Sequence, residues 1–242
     1  MLINSYRFSP ETDQYYNSVS LLLHGNGTNG STTITDNSPS PKTVTAFGDA
    51  RISTVQSKFG GASIAFDGNG DYLTTPDSTG WDLSGDFTIE AWVYLAGYSN
   101  AYSGAYGACV VAQYNSTPLV YPIGWQLRIN GTALAYNTIN LFTGNTDLNF
   151  ASSIALYSWN HIAVTRSSGS IKAFVNGMQA GSTVANSDSF TEGGARPLWI
   201  GALNDSSFRF WLNGYIDELR ITKGIARYTT NFTPPTAPFP DS

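Results

Sequence analysis

Carboxylates bear first on whether this chain could break a bond. Cleaving a glycosidic linkage takes two acids a few ångströms apart, one to donate a proton and one to act as nucleophile or base. Side chains alternate along a strand, so acids two residues apart share a face and adjacent acids point away from each other. The glutamates are Glu11, Glu90, Glu192 and Glu218. Glu90 has no second acid within its run. Asp217 and Glu218 are adjacent, which a regular strand would separate. These spacings speak against hydrolysis, and Glu90 and Glu218 are expected to be structural, paired with Arg166, Arg220 or backbone N–H groups. His24 and His161 are the two histidines and Cys109 is the one cysteine. A zinc site asks for more nitrogen or sulfur ligands, and a catalytic thiol needs an activating base. Packed histidines and a small buried thiol are the expectation. Gly25-Asn26-Gly27 is no phosphate cradle, because no lysine follows in register and no helix opens there.

Two other groups of residues could bind something. Calcium takes six to eight oxygen ligands, and Asp67, Asn69 and Asp71 in the turn DGNGD alternate acceptors that could wrap it. The simpler reading of the same turn is a hairpin with Asx hydrogen bonds. From Gly97 the chain reads GYSNAYSGAYGACVVAQYN. Tyr among Ser, Gly and Asn is the composition of adaptable recognition loops, since Tyr offers contact area at low entropic cost. Tyr98, Tyr102 and Tyr106, with Tyr121 and Trp125, are expected to form part of a ligand or partner surface. The alternative is that these tyrosines pack the loop onto its own domain.

Short strands must position these residues. In Phe87–Leu95, residues Phe87, Ile89, Ala91 and Val93 face one way, and Thr88, Glu90, Trp92 and Tyr94 the other. Ser63–Phe66 leads through DGNGD to Tyr72–Thr75. Trp159–Arg166 and Ile171–Asn176 flank the turn SSGS. Asn130-Gly131, after Gly124–Ile129, and Asn176-Gly177 are each the strongest short hairpin signal. Pro197–Gly201, Phe208–Leu212 and Tyr215–Thr222 follow, and only Lys223–Tyr228 suits a helical turn. Strands recurring with turn signals predict an all-β, two-sheet antiparallel sandwich. Phe66, Phe87, Ile89 and Ala91 are expected on one inner face, with Ile162, Val164 and Val175 facing them from the hairpin opposite and Phe174 left open, since strand parity does not assign it to either face. Residues 1–20 read as an arm or linker and 21–228 as the domain. Residues 229–242 form a tail whose Pro234, Pro235, Pro238 and Pro240 keep it out of the sheet. Arm and tail are expected to dock the domain to neighbours.

The 242 residues fit one large sandwich, and 41 % hydrophobic and 14 % aromatic content supplies its core. Charged residues are 12 % of the chain, about half the usual share. A net charge of -5 without a basic stripe excludes nucleic acid as partner and disfavours anionic membranes. No stretch is long and apolar enough to insert in a bilayer. The opening MLINSYRFSPETDQYY shows no secretory signal, whereas a surface rich in Thr, Asn and Gly suits life outside a cell. A virion protein, made in the host cytoplasm and used outside it, meets both conditions.

Five strings occur in a telling order: KFGGASIAFDGNGDYL, GDFTIEAWVY, WNHIAVTRSSGSIKAFVNG, LWIG, and LNGYIDELRIT with the following ARY and FTPP. Over Leu21 to Phe232 the chain thereby resembles the laminin G-like branch of the concanavalin A-like lectin/glucanase superfamily. The resemblance implies a jelly roll of two curved antiparallel sheets whose concave face or rim loops commonly bind glycans. Relatives often hold a calcium with an Asp on the last strand plus oxygens near the first strand, and Asp217 in IDELRI matches that Asp. The family's hydrolases carry an acidic trio on alternate residues of one strand, which is missing here. The phrase DELRITKGIARYTTNFTPP is similar to modules in bacteriophage structural proteins. It implies a non-enzymatic virion component that binds host cell-surface glycans beside other virion proteins, as a homotrimer by analogy with virion appendages. The rival expectations are a purely architectural capsid decoration or tail component, and a glycan-cleaving enzyme.

Overall fold

The computed structural model describes residues 12–97, 100–102, 105–115, 123–132, 135–144, 146–190, 196–203 and 209–242. In chain order the strands among them are β1 (Val19–Leu23), β2 (Thr45–Phe47), β3 (Arg51–Ser53), β4 (Ser63–Asp67), β5 (Tyr72–Thr75), β6 (Phe87–Leu95), β7 (Asn100–Tyr102) and β8 (Ala105–Asn115). They continue with β9 (Ile123–Thr132), β10 (Ala135–Phe142), β11 (Asp147–Ile154), β12 (Trp159–Ser167), β13 (Ser170–Val175), β14 (Met178–Ala185), β15 (Leu198–Ile200) and β16 (Asn213–Lys223).

Two antiparallel sheets result. The first runs β14-β13-β12-β6-β16-β4-β3, with β1 also paired to β16, and the second runs β11-β10-β9-β8-β15-β5-β2, with β7 on β8. The alternation read in Phe87–Leu95 sets the layers. Phe87, Ile89, Ala91 and Val93 turn inward with Leu21 and Ile64, and meet Val111, Trp125, Leu127, Phe150 and Ile200 of the second sheet in one core. Burying each such large side chain contributes roughly 1.5–3 kcal/mol.

Several local expectations change in three dimensions. The hairpin Trp159–Val175 does not face Phe87–Leu95 from the other sheet, because β12 pairs directly with β6, Ile162 opposite Ala91. Ile162, Val164 and Val175 do enter the core. Phe174 points out and packs on Tyr228 and Phe232. Asn176-Gly177 makes the expected turn, with φ of 49° and 79°, the left-handed pair that a type I′ hairpin needs. Asn130-Gly131 does not turn: β9 runs through it, with Gly131 opposite Tyr136. Lys223–Tyr228 is not helical, and the helical turns among the described residues are single 3₁₀ turns at Tyr16–Ser18 and Thr79–Trp81.

The described part of the arm and the proline-rich tail lie on their own sandwich. Phe239 is buried in a small cluster with Val19 and Leu22. The N–H of Phe232 donates to the carbonyl of Gly177, and that of Asp13 to the carbonyl of Ser242, each at 2.9 Å. Proline keeps the tail out of the ladder, but its aromatic residues bind it to the outer face of the first sheet.

Candidate functional site

The outer face of the first sheet gathers the acids and histidines. Glu90 is fully buried. Arg220 donates to its Oε1 from Nε at 3.0 Å and from Nη2 at 2.8 Å, and the Tyr228 hydroxyl donates to its Oε2 at 2.8 Å. His161 Nε2 lies 3.2 Å from the same Oε2. Asp13 adds a second carboxylate, held by Arg220 and Arg227. Burial raises the Glu90 pKa, but Arg220 and then His161 outweigh it and hold the group down to about 2. A carboxylate with both oxygens occupied and so low a pKa is no proton donor near neutrality. The expected pairing with Arg220 is present. Arg166 instead donates to the carbonyls of Leu83, Gly85 and Asp188.

Asp217 and Glu218 do not separate as adjacent strand residues should. Between Asp217, opposite Trp92, and Arg220, opposite Glu90, β16 carries one residue more than β6. Glu218 takes a left-handed φ of 53° there. This bulge lets Glu218 reach His24 Nδ1 at 2.8 Å and accept the Phe239 N–H at 2.7 Å. Asp217 Oδ2 accepts the N–H groups of Lys58 and Phe59 at 2.8 and 3.1 Å, while its buried Oδ1 has no partner.

These residues do not form the expected calcium set. Asp71 accepts the N–H of Asp67 at 2.9 Å, and Asp67 accepts that of Asn69 at 2.7 Å, so DGNGD is the hairpin with Asx bonds. Asp67 stands opposite Asn213, four residues along β16 from Asp217, which is roughly 13 Å of strand. Beside Asp217 the Lys58 ammonium lies 3.8 Å over the Trp92 ring, a cation where a metal would want oxygen. Among the described residues no three His, Cys, Asp or Glu side chains group to hold a metal.

Burial, only partly offset by the Phe59 and Lys58 N–H groups, pushes the Asp217 pKa up to about 7. A carboxyl whose pKa is raised on folding favours the proton-bound native state, so its contribution to stability falls as pH rises from about 4 to 7. Asp217→Asn keeps an acceptor for Lys58 and Phe59 and removes the buried charge. It should match the parent at pH 4 and be more stable by on the order of 3 kcal/mol at pH 8. Thermal melts across that range check this, and equal melts at pH 8 would refute it.

The tyrosine-rich segment is in part a hairpin, β7–β8, and not a loop. Tyr98 and Tyr121 lie outside the described residues, as do the side chains of Tyr102 and Tyr106. Trp125 is not a surface residue. It is fully buried, and its indole N–H donates to the Trp81 carbonyl at 2.9 Å, because the alternation of β9 turns it inward beside Leu127 and Ile129. Cys109 is buried as expected, and burial raises its thiol pKa.

The face that sequence reasoning missed is the outer one of the second sheet. Arg128, Asn140 and Asn149 stand abreast on β9, β10 and β11. Asn140 Oδ1 accepts from Arg128 Nε at 2.9 Å, and its amide nitrogen donates to Asn149 Oδ1 at 2.9 Å and Asp147 Oδ1 at 3.1 Å. Arg128 also pairs with Asp147 at 2.8 Å. Phe142 lies in the next row, between Gln126 and Asp147. Asp147 and Asn149 are exposed. Across β8 the face turns aromatic. Tyr72 stacks between Phe47 at 4.6 Å and Trp199 at 4.2 Å, with Trp211 at 6.0 Å. At the end of this ladder Phe47 is exposed. Segment 209–212 folds back over the middle of the face, where the Phe210 carbonyl accepts the Cys109 N–H at 2.8 Å.

No curated protein matches this sequence. Among solved structures, domain 4 of AbnA, an extracellular arabinanase from Geobacillus stearothermophilus solved with arabinotriose, is similar at a TM-score of 0.58 and 16 % identity, over 86 % of this chain and 95 % of that one. The binding domain of botulinum neurotoxin serotype D/C is similar at 0.58 and 12 %, over 94 % of this chain and 50 % of that one. That of Paraclostridial Mosquitocidal Protein 1 is similar at 0.59 and 13 %, over 87 % and 50 %. This chain thus spans about half the length of the toxin domains, and at such identities the likeness is one of fold. A family model for the concanavalin A-like lectin/glucanases superfamily matches residues 67–226, the stretch from the end of β4 past β16, and the chain belongs to that superfamily.

Proposed function

We propose that this chain is a non-catalytic carbohydrate-binding domain that takes its ligand on the outer face of the second sheet. The observation that carries the reading is the tied array of Arg128, Asn140, Asp147 and Asn149 beside Phe142. Planar polar groups held by one another meet sugar hydroxyls without first being ordered, which lowers the entropic cost of binding. Neighbouring rings cover the sugar's apolar face. Asp147 is the one acid in this array, so it has no partner for general acid–base cleavage. The arabinotriose-bound AbnA domain supports the reading by likeness of fold. The β7–β8 hairpin adjoins the Asn130 end of this face, and its Tyr102 and Tyr106 are proposed as ligand contacts, with Tyr98 and Tyr121 kept as candidates outside the described residues. The resemblance of the closing segment to phage structural proteins supports display on a virion, where electron microscopy of labelled particles would find it at a tail tip.

A panel of immobilised glycans tests the binding. The parent protein should bind at least one class, and Asn149→Ala should weaken it about tenfold, one hydrogen-bonded hydroxyl lost, with the melting temperature within about 2 °C, as for exposed sites. Absence of any bound glycan would refute the proposal, and undiminished binding by Asn149→Ala would remove this face from it. Release of reducing sugar would restore the enzymatic alternative.

A further inference from the structure

The outer face of the first sheet is covered over only part of its length. The tail lies against His161 through Phe232, and Lys58 and Phe59 lie against Trp92. Two residues further along β6 a row crosses the face: Trp159 opposite Tyr94, Tyr94 opposite Tyr215, Tyr215 opposite Ala65, and Ala65 opposite Arg51. Neighbouring strands are about 4.8 Å apart, so this row is roughly 19 Å wide. Arg51 is exposed and the other four residues are half-buried, so solvent reaches the whole row. Its rings brace one another, Tyr94 meeting Trp159 and Tyr215 edge to face with 5.7 Å between centroids in each pair. Among the described residues the hydroxyls of Tyr94 and Tyr215 have no hydrogen-bond partner, nor has the side-chain amide of half-buried Asn213, two residues from Tyr215 on the same face. Exposed Asp67 stands opposite Asn213 and accepts the Asn69 N–H through Oδ1, which leaves Oδ2 open. Beside this row the Tyr157 N–H donates to the Leu95 carbonyl at 2.8 Å. Tyr157 holds a left-handed φ of 57° while 66 % exposed, a strained conformation that packing does not require and that clusters at binding sites.

We propose that this row is a second glycan-binding shelf, so that one chain holds sugar on both outer faces of its sandwich. For the class of ligand the proposal rests on the reading above. Tyr and Trp side chains offer a sugar's apolar C–H surface a large, rigid contact at low entropic cost. Around them stand hydrogen-bonding groups of every kind. The phenol hydroxyls and the Asn213 amide donate and accept, Asp67 only accepts, and Arg51 only donates. A sugar hydroxyl can serve each of them. A proline-rich peptide, the other common occupant of an aromatic surface, offers carbonyl acceptors but few N–H donors, and would leave Asp67 unmatched. The carboxylate of Asp67 and the guanidinium of Arg51 offset each other, so the shelf is electrostatically complementary to an uncharged ligand. The two faces look in opposite directions, and a chain loaded on both bridges two glycan strands instead of gripping one more tightly.

Calorimetry with neutral tetrasaccharides (arabino-, gluco- and galacto-) and turbidity with the soluble polymers (arabinan, β-glucan and galactan) test this. The parent should take up tetrasaccharide at two sites per chain and cloud at least one polymer, and free tetrasaccharide should clear the suspension. Tyr215→Ala should weaken the shelf about tenfold through the lost ring contact and leave the other site as it was. Tyr215→Phe keeps the ring and its packing and should weaken the shelf about fivefold, one neutral hydrogen bond lost, which decides the matter if Tyr215→Ala melts far below the parent. Tyr215→Ala and Asn149→Ala should each suppress the clouding, since either leaves one strong site. A single site that Asn149→Ala weakens and both Tyr215 variants spare would overturn the inference and leave the second-sheet reading standing. A single site weakened by the Tyr215 variants and spared by Asn149→Ala would uphold the shelf and overturn the second-sheet reading. Binding of a peptide of residues 233–240 in place of sugar, lost in Tyr215→Ala, would overturn the shelf as a glycan site. No sugar bound anywhere would overturn both readings.

Discussion

Glu90→Ala should lower the unfolding free energy by about 3–5 kcal/mol, the cost of stranding one member of a buried ion pair. For a chain of this size that is a fall of roughly 10 °C in melting temperature. The loss is large because Glu90 is shared. Arg220 binds its Oε1 twice, and Tyr228 and His161 meet its Oε2, all away from water. Without Glu90, Arg220 keeps Asp13 at 3.1 Å but loses its two shorter bonds. Glu90→Met with Arg220→Met should recover part of the loss, since matched apolar groups replace a buried pair nearly neutrally. The pair's contribution also depends on pH with a fixed sign. Its folded pKa of about 2 lies below the ordinary value of 4.5, so the stabilisation is full above pH 4.5 and fades as pH falls toward 2. Guanidinium-induced unfolding of single and double variants measures all three. A single variant within 1 kcal/mol of the parent, inside the ordinary range for surface changes, would show that the network does not hold the sheet.

Phe239→Ala is expected to cost about 3–5 kcal/mol if the tail is part of the fold. Phe239 is 3 % exposed. It packs on Val19 and Leu22, its ring lies 3.7 Å under the Arg220 guanidinium, and its N–H caps Glu218. One side chain therefore joins the tail to β1, to the ion-pair network and to the bulge. Its removal should also speed amide exchange at Phe232 and Phe239, whose N–H groups bind Gly177 and Glu218, because those bonds open together when the tail lifts. An unchanged melt and unchanged exchange would show a tail that merely rests on the sheet, free to dock elsewhere.

Alternation and turn chemistry carried much of this protein in its linear order. Period-two patterning put Phe87, Ile89, Ala91 and Val93 inside. The Asn176-Gly177 pair set a hairpin through positive φ, and the lack of paired acids spoke against cleavage. These are local properties, written within a few residues of one another. The polar stripe of β9 was equally local, since Gln126, Arg128 and Asn130 alternate with Trp125, Leu127 and Ile129, and the same alternation places Trp125 in the core. What no local pattern holds is which strands lie side by side. Arg128, Asn140 and Asn149 become one array only because β9, β10 and β11 pair in that register. Phe47, Tyr72 and Trp199 stack only because β2, β5 and β15 are brought together across 150 residues of chain. The bulge at Glu218 and the folding back of the tail depend likewise on partners distant in sequence, where hydrophobic contact and ion pairing outweighed the regular strand and the free tail that propensity alone would favour.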